Sequence, residues 1–480
     1  MNKFSDALFK EKNKTTTENG AVSYRSTKND YVDLFSTIGN SRGIDITSNI
    51  EKCFNANPEL TSLILMYARD VRQGLGERQV FRDALVHLAK DKKNEIHIIN
   101  IVKSIPELGR FDDLLVLLTN DISLAIKKAV LDVIKGALAN PNQKGLCAKW
   151  MPRKGPVAKY IYKYLDFRDE RAWRQYIVAN TKVVEQNMCA KDWGHINYEQ
   201  VPSRAMSIYK NAFKRNDFFR FSNYLKALEN GTAKLNSSVL YPYEIIKLLK
   251  SNKVLAEKAW NDIPEVFSNK KIISVVDTSG SMESSISSKT TTTALDVAVS
   301  LGLLTASKLT GAFKDHVITF SVVPSFIKLS GSLSNRVREL RSQSWSMNTN
   351  YNLVHKNIIN KAIENKVPQS DMPDYILVIS DMQFDESESN TNKVNHVEME
   401  KLYAKAGYVM PKIIYWHVSA GETKRTFPAT TKHNVIMLSG FSYQILLDII
   451  ANGDFDAYAY VKSTVCKDRY MKYLFDEGVV

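Results

Sequence analysis

Cysteine is scarce in this 480-residue chain. Cys53, Cys147, Cys189 and Cys466 lie far apart, with no CxxC pair and no cysteine–histidine cluster. That pattern argues against a disulfide framework and a structural zinc site. Long hydrophobic runs are missing too. None approaches the ~18 residues of a membrane span, and Met1 to Asp6 open no apolar signal core. The expectation is a soluble, cytoplasmic protein with no membrane partner. Nothing calls for an oligomer, so a monomer is expected. There is no GxxxxGK[ST] phosphate loop, and no nucleophile–base arrangement stands out. The eight histidines are scattered, and His417 sits in an apolar run that suits a core strand better than a catalyst. Hydrolysis and phosphoryl transfer have no support here, and the chain reads as non-enzymatic.

Charge, by contrast, is abundant and uneven. The formal net charge is +14, and nearly all the basic excess lies before Lys271. A basic half of this kind suits a polyanion such as RNA, DNA or a membrane surface. Two patches concentrate it. The first holds Lys149, Arg153, Lys154, Lys159, Lys163, Arg171 and Arg174, interleaved with Trp150, Tyr160, Tyr162, Tyr164, Trp173 and Tyr176. Cations there can bind phosphate and aromatics can stack on unpaired bases. The competing reading is a solvated helix face whose aromatics fill the core. The second patch holds Arg204, Lys210, Lys214 and Arg215.

Hydrophobic periodicity divides the chain. Residues 1–30 are polar and read as an extended arm. From 31 to 265 the period is helical, as in Leu60, Leu63, Ile64, Tyr67 and Ala68. Pro106, Gly109, Pro141 and Gly145 punctuate the series. Successive helices with short breaks predict an all-α helical-repeat (HEAT-like) domain, ring-like or curved. From 270 to 452 strands alternate with helices, which predicts an α/β doubly wound parallel sheet. The strands are expected at Ile272–Val276, Val317–Ser321, Phe326–Leu329, Tyr375–Ser380, Lys412–Val418 and Val435–Leu438. A last helix is expected at Tyr443–Ile450. Residues 453–480 form a tail that looks too polar for a core and is expected to pack back on the helical part.

The first strand ends in Asp277, followed at once by Ser279 and Ser281. One carboxylate and two alternating hydroxyls at the carboxyl edge of a sheet are hard oxygen donors of the kind Mg²⁺ favours. Asp277-Thr278-Ser279-Gly280-Ser281-Met282 resembles the opening of a von Willebrand factor A domain. The resemblance implies two further ligands: Thr349, from a later loop, and Asp381, closing the run Tyr375–Ser380. Together the five residues would form a metal-dependent adhesion site for Mg²⁺ or another divalent cation. Its open position would be filled by an Asp or Glu of a protein partner. Two positions depart from the family pattern. Met382 stands where glycine often follows the aspartate, and Asn350 where an acid often follows the threonine.

Three earlier segments extend the resemblance: Tyr67 to Arg78 (YARDVRQGLGER), Ile105 to Leu114 (IPELGRFDDL), and Ala148 to Pro152 (AKWMP). A helical-repeat half carrying them, followed by an A domain, looks like the TROVE module of the Ro ribonucleoprotein family. The resemblance implies a ring of helical repeats that binds small structured RNAs and single-stranded RNA ends. Arg69, Arg72 and Arg78, close to Asp70 and Glu77, read better as a corner network than as phosphate ligands. The alternative function is a protein-interaction scaffold that recruits a client or an ATPase without RNA.

Overall fold

The computed structural model describes residues 13–181, 183–236, 240–264, 270–287, 290–320, 324–342, 351–385, 395–419, 425–433, 435–446 and 456–474. The chain forms two compact units. One takes the residues up to Asp45, Tyr241–Lys247 and Pro264–Thr464; the other takes Ile46–Leu240, Leu248–Ile263 and the chain from Val465.

The first described elements are a hairpin, β1 (Lys14–Thr16) and β2 (Val22–Tyr24), and the helix α1 (Asp30–Ile38). Gly20 closes the hairpin turn at φ +89°, and Asn29 caps α1 by accepting from the amides of Tyr31 and Val32. Where the sequence suggests an extended arm and the start of the helical part, these elements therefore belong to the α/β unit. The physical reason is apolar. Val32, Leu34, Phe35 and Ile38 are buried, and α1 lies against the strand Val435–Ser439.

The helical unit begins with α2 (Thr47–Ala56), α3 (Pro58–Arg69), α4 (Gln79–Ala89), α5 (Glu95–Leu108), α6 (Asp112–Leu118) and α7 (Leu124–Ala139). Helices α3, α5 and α7 pack successively in one layer, and α2, α4 and α6 in a second. This is helical-repeat architecture, in which each helix buries its apolar stripe on its neighbours. Next come α8 (Pro141–Trp150), α9 (Pro156–Tyr164), α10 (Glu170–Asn180), α11 (Val184–Cys189), α12 (Ser203–Asn216) and α13 (Phe218–Glu229). Pro58, Pro141 and Pro156 each open a helix, where the missing N–H leaves no bond unmade. Pro106 instead lies inside α5, and the helix stops at Gly109.

One corner of this unit is ionic. Arg69, 2% exposed, donates from Nε to Asp113 at 2.7 Å, and Arg82 reaches the other oxygen of Asp113 at 2.7 Å. Asp70 accepts from Arg469 Nε at 2.6 Å and from the Tyr470 hydroxyl at 3.0 Å. A side chain at Gly74 would meet the Tyr67 carbonyl at 2.0 Å. The glycines and arginines of this segment thus build a helix corner. The chain's last described stretch is part of it, although its sequence looks too polar for a core.

Helix α14 (Pro242–Leu248) and helix α15 (Lys253–Asn261) precede the sheet. Its strands are β3 (Ile272–Asp277), β4 (His316–Phe320), β5 (Ser325–Lys328), β6 (Tyr375–Ser380), β7 (Lys412–His417) and β8 (Val435–Ser439), in the order β5-β4-β3-β6-β7-β8. All pairings are parallel except β4 with β5, an antiparallel edge. Every residue of β3 and β6 is buried, as central parallel strands require. Helix α16 (Ala294–Lys308) packs on β3, where Gly302 lets it approach: a Cβ there would meet Val276 Cγ2 at 2.3 Å. Further helices are α17 (Leu333–Arg341), α18 (Tyr351–Glu364) and α19 (Asn395–Lys405). The expected helix at Tyr443–Ile450 falls partly outside the described residues. Helix α20 (Ala457–Val465) buries Tyr460 against Phe35, ring centroids 5.8 Å apart, so this part of the tail joins the α/β core.

Candidate functional site

From β3 the chain passes to β4 on one side and later to β6 on the other. The carboxyl ends of β3 and β6 therefore form the switch point of the sheet, where crevices open in α/β folds. Asp277 ends β3 and Asp381 follows β6, so the topology brings these two predicted residues to one place. Asp277 is fully buried. Its Oδ1 accepts from the Ser279 amide at 2.9 Å and its Oδ2 from the Ser380 hydroxyl at 2.6 Å. The hydroxyls of Ser279 and Ser281 are 3.1 Å apart. Asp381, also buried, accepts from the Gln383 amide at 3.1 Å and from the Ser281 side chain. Thr349, the remaining predicted ligand, lies outside the described residues.

Burial, and then the nearby charge of Asp381, pushes the Asp277 carboxyl above the ordinary carboxylate range. Burial raises Asp381 as well. Neither has a cationic partner among the described residues. Two such carboxylates flanked by hydroxyls are a donor set of hard oxygens, which fits Mg²⁺ and has no sulfur or imidazole to favour a softer metal. Among the described residues no group of three or more His, Cys, Asp or Glu gathers as a metal centre, so any cation here would depend on the hydroxyls. Met382 has φ +63°, the left-handed conformation that glycine adopts without penalty, and its side chain is buried. That is the physical sense of the glycine often found there.

The helical unit carries a second candidate. A cleft of about 1280 Å³ is lined by residues of α8, α11 and α12, among them Lys144, Lys149, Trp150, Arg204, Ile208 and Tyr209. Arg110 also faces it and stacks on Trp150, 3.8 Å from guanidinium carbon to ring centroid. One acid, Glu185, sits in the lining, 3.4 Å from Lys149 Nζ and 3.3 Å from the Tyr209 hydroxyl. Amides complete the wall: Asn142, Asn180, Gln186, Asn187, Asn197 and Gln200. The structure thus brings together Lys149 of the first predicted patch and Arg204 of the second. Arg153, Lys154, Lys159, Lys163, Arg171, Arg174, Lys214 and Arg215 do not line the cleft. All are exposed, and no ion pair engages them among the described residues. Lys210 is half-buried and donates to the Ser207 carbonyl of its own helix, while burial pushes its ammonium below the usual range.

The interleaved aromatics divide differently. Trp173 is fully buried and donates from Nε1 to the Pro152 carbonyl at 2.9 Å. It packs with Phe167 and Tyr176, so these rings serve the core. Tyr160 is exposed. Sequence reasoning did not single out the cleft amides, or the pair at the start of α13, Phe218 and Phe219, which are 51% and 81% exposed and lie outside the cleft lining. The amides carry no charge pattern to betray them.

Two family profiles match, both described only as domains of unknown function: DUF7788 over residues 271–472, and DUF2828 over residues 17–105 and 157–282. The chain is 26% identical over 498 residues to the uncharacterized protein L728 of Acanthamoeba polyphaga mimivirus, covering 92% of this chain and 86% of that protein. It is also similar to the crystal structure of the Deinococcus radiodurans Ro (RSR) protein. There the TM-score is 0.47 and the identity 14%, with 92% of this chain and all of that one covered.

Proposed function

We propose that this chain is a non-enzymatic RNA-binding protein of Ro/TROVE type. The helical unit would bind small structured RNA or its single-stranded ends. The observation that carries this reading is the cleft of the helical unit, where Lys144, Lys149, Arg110 and Arg204 face one acid among the described residues, beside exposed cations that have no acidic partner among those residues. Cations of that kind suit phosphate, and a wall of amides suits unpaired base edges. Fluorescence anisotropy of the full chain with labelled single-stranded and duplex RNA tests it. Salt-dependent binding to the single strand, with the RNA left intact in Mg²⁺, is expected. Failure to bind either RNA at 50 mM salt would favour the scaffold reading instead.

In the α/β unit, Asp277, Ser279, Ser281, Thr349 and Asp381 would hold the Mg²⁺. When bound, the cation supplies a positive charge with an open coordination position, to which an acidic side chain of a protein partner can dock. What this chain's own residues contribute is placement. Ser279 N–H and Ser380 Oγ–H orient the Asp277 carboxylate, and Ser281 and the Gln383 amide orient that of Asp381.

A further inference from the structure

Inside the α/β unit, a cavity of about 20 Å³ lies at the carboxyl end of β7. His417, Arg425 and Thr426 line it, with Met382, Phe427 and Met437 in its apolar wall. Paired backbone bonds between Tyr24 and Phe427, each 2.9 Å, clamp this stretch to the β1–β2 hairpin. The other hydroxyls in the lining are engaged: Ser36 and Thr37 donate to carbonyls of their own helix at 2.6 and 2.7 Å, and Tyr415 meets the Tyr351 hydroxyl at 2.7 Å. Three groups lack a complement among the described residues. Thr426 is 7% exposed, and its Oγ1 is buried without a hydrogen-bond partner. So is Nε2 of His417. Arg425 is half-buried and pairs with no carboxylate; its Nη2 donates to Ser41 Oγ at 3.0 Å. Ser41 Oγ in turn donates to the Thr37 carbonyl at 2.6 Å, which holds the guanidinium near the end of α1, where the last carbonyls favour a cation. Burial lowers the Arg425 guanidinium, and burial followed by Arg425 pushes His417 down to about 3. The imidazole is therefore neutral, and Arg425 supplies the charge of the lining. A desolvated cation and two buried unpaired donors are costly to leave without a ligand.

Size narrows the ligand. One water needs roughly 10–15 Å³ of such space, so about 20 Å³ takes a single atom-sized species and not a whole phosphate or carboxylate group. A water would serve the hydroxyl and the imidazole but leave the charge of Arg425 uncompensated, whereas a monatomic anion answers all three. We propose that this cavity binds a chloride-sized anion, held by the Arg425 guanidinium, the Thr426 hydroxyl and the Nε2–H of neutral His417. The anion would join the end of β7 to the end of α1. It shares no residue with the five candidate ligands of the divalent cation.

Chloride NMR line broadening tests it, with the full chain titrated with sodium chloride in sodium gluconate at constant ionic strength. The proteins are wild type, R425Q, T426V and K405Q. The last removes an exposed lysine of α19 and controls for weak attraction of chloride to the basic surface. Saturable broadening is expected in wild type and K405Q and should vanish in R425Q. Affinity should be about 10- to 100-fold weaker in T426V, the scale of one hydrogen bond to a charged group. Thermal melts in gluconate check that each variant folds, and T426V alone decides should R425Q unfold. Saturable broadening of equal affinity in wild type and in the folded cavity variants would put the chloride elsewhere and overturn the proposal. Broadening that never saturates in wild type overturns it too, leaving water as the occupant. Displacement of the chloride by equimolar phosphate or acetate overturns the monatomic assignment in favour of an oxyanion.

Discussion

Reversing Lys149, Arg153, Lys154 and Lys159 together to glutamate should flatten the salt dependence of RNA binding. Arg153, Lys154 and Lys159 are exposed and unpaired among the described residues, while Lys149 shares its charge with Glu185 at 3.4 Å. Three full contacts and one partial one are therefore at stake. On a single strand each neutralised phosphate adds about 0.7 to the slope of log K against log salt, so the variant should lose about 2–3 units of slope. Between roughly 50 and 200 mM salt, those contacts account for about a 20- to 50-fold fall in wild-type affinity that the variant would not show. Anisotropy titrations of a labelled single-stranded RNA across a potassium chloride series measure both slopes. Because the four side chains are on the surface, melting curves should coincide. Parallel slopes would refute the reasoning: these cations would then touch no phosphate, and Arg204, Lys214 and Arg215 would be the next to reverse.

Asp277→Ala should abolish Mg²⁺ binding by calorimetry yet change RNA affinity by less than about 1 kcal/mol, since the two candidate sites share no residues. A larger loss would mean that the cation itself holds phosphate. Met382→Gly weighs two effects: relief of a left-handed residue is worth about 1–2 kcal/mol, but truncating a buried methionine costs about 2–5 kcal/mol. Net destabilisation is expected in urea unfolding, and a more stable variant would contradict it. His355 is buried with its Nε2 unpartnered among the described residues, and burial followed by His396 pushes its value down to about 3. It is neutral in the fold, so its contribution is intact above about pH 6.5 and erodes as pH falls toward the folded value, by about 2 kcal/mol at roughly pH 5. His355→Phe should remove that share of the acid sensitivity, and parallel pH–stability curves for the two proteins would argue against it.

Much of this architecture was legible because its signals are local. The six sheet strands fall within a residue or two of the apolar runs that mark them, and Asp277 and Asp381 meet because a parallel sheet puts strand ends at one edge. What escaped was long-range. Lys14–Tyr24 looks like a polar arm, yet it pairs with residues more than 350 positions away, and nothing in its own composition announces that. Arg469 and Tyr470 read as tail until Asp70 is placed beside them. The basic patches were visible as charge, but not which cations are tied down. Lys149 has a partner that only packing supplies, and Lys210 turns back onto the Ser207 carbonyl of its own helix.

The α/β unit is assembled from both sides of the helical unit that interrupts it. The Gly39 amide donates to the Ser439 hydroxyl at 3.0 Å, across 400 residues of chain. At roughly 5–20 residues per second a ribosome needs about 20–80 s to travel that distance. During that time the helical unit can make most of its neighbouring contacts, lacking the corner that Arg469 and Tyr470 complete. The buried faces of the hairpin and of α1 must wait uncovered. The newborn protein therefore has a timed vulnerability: the apolar face of α1 stays uncovered until most of the chain has been made, and a chaperone would be most useful there.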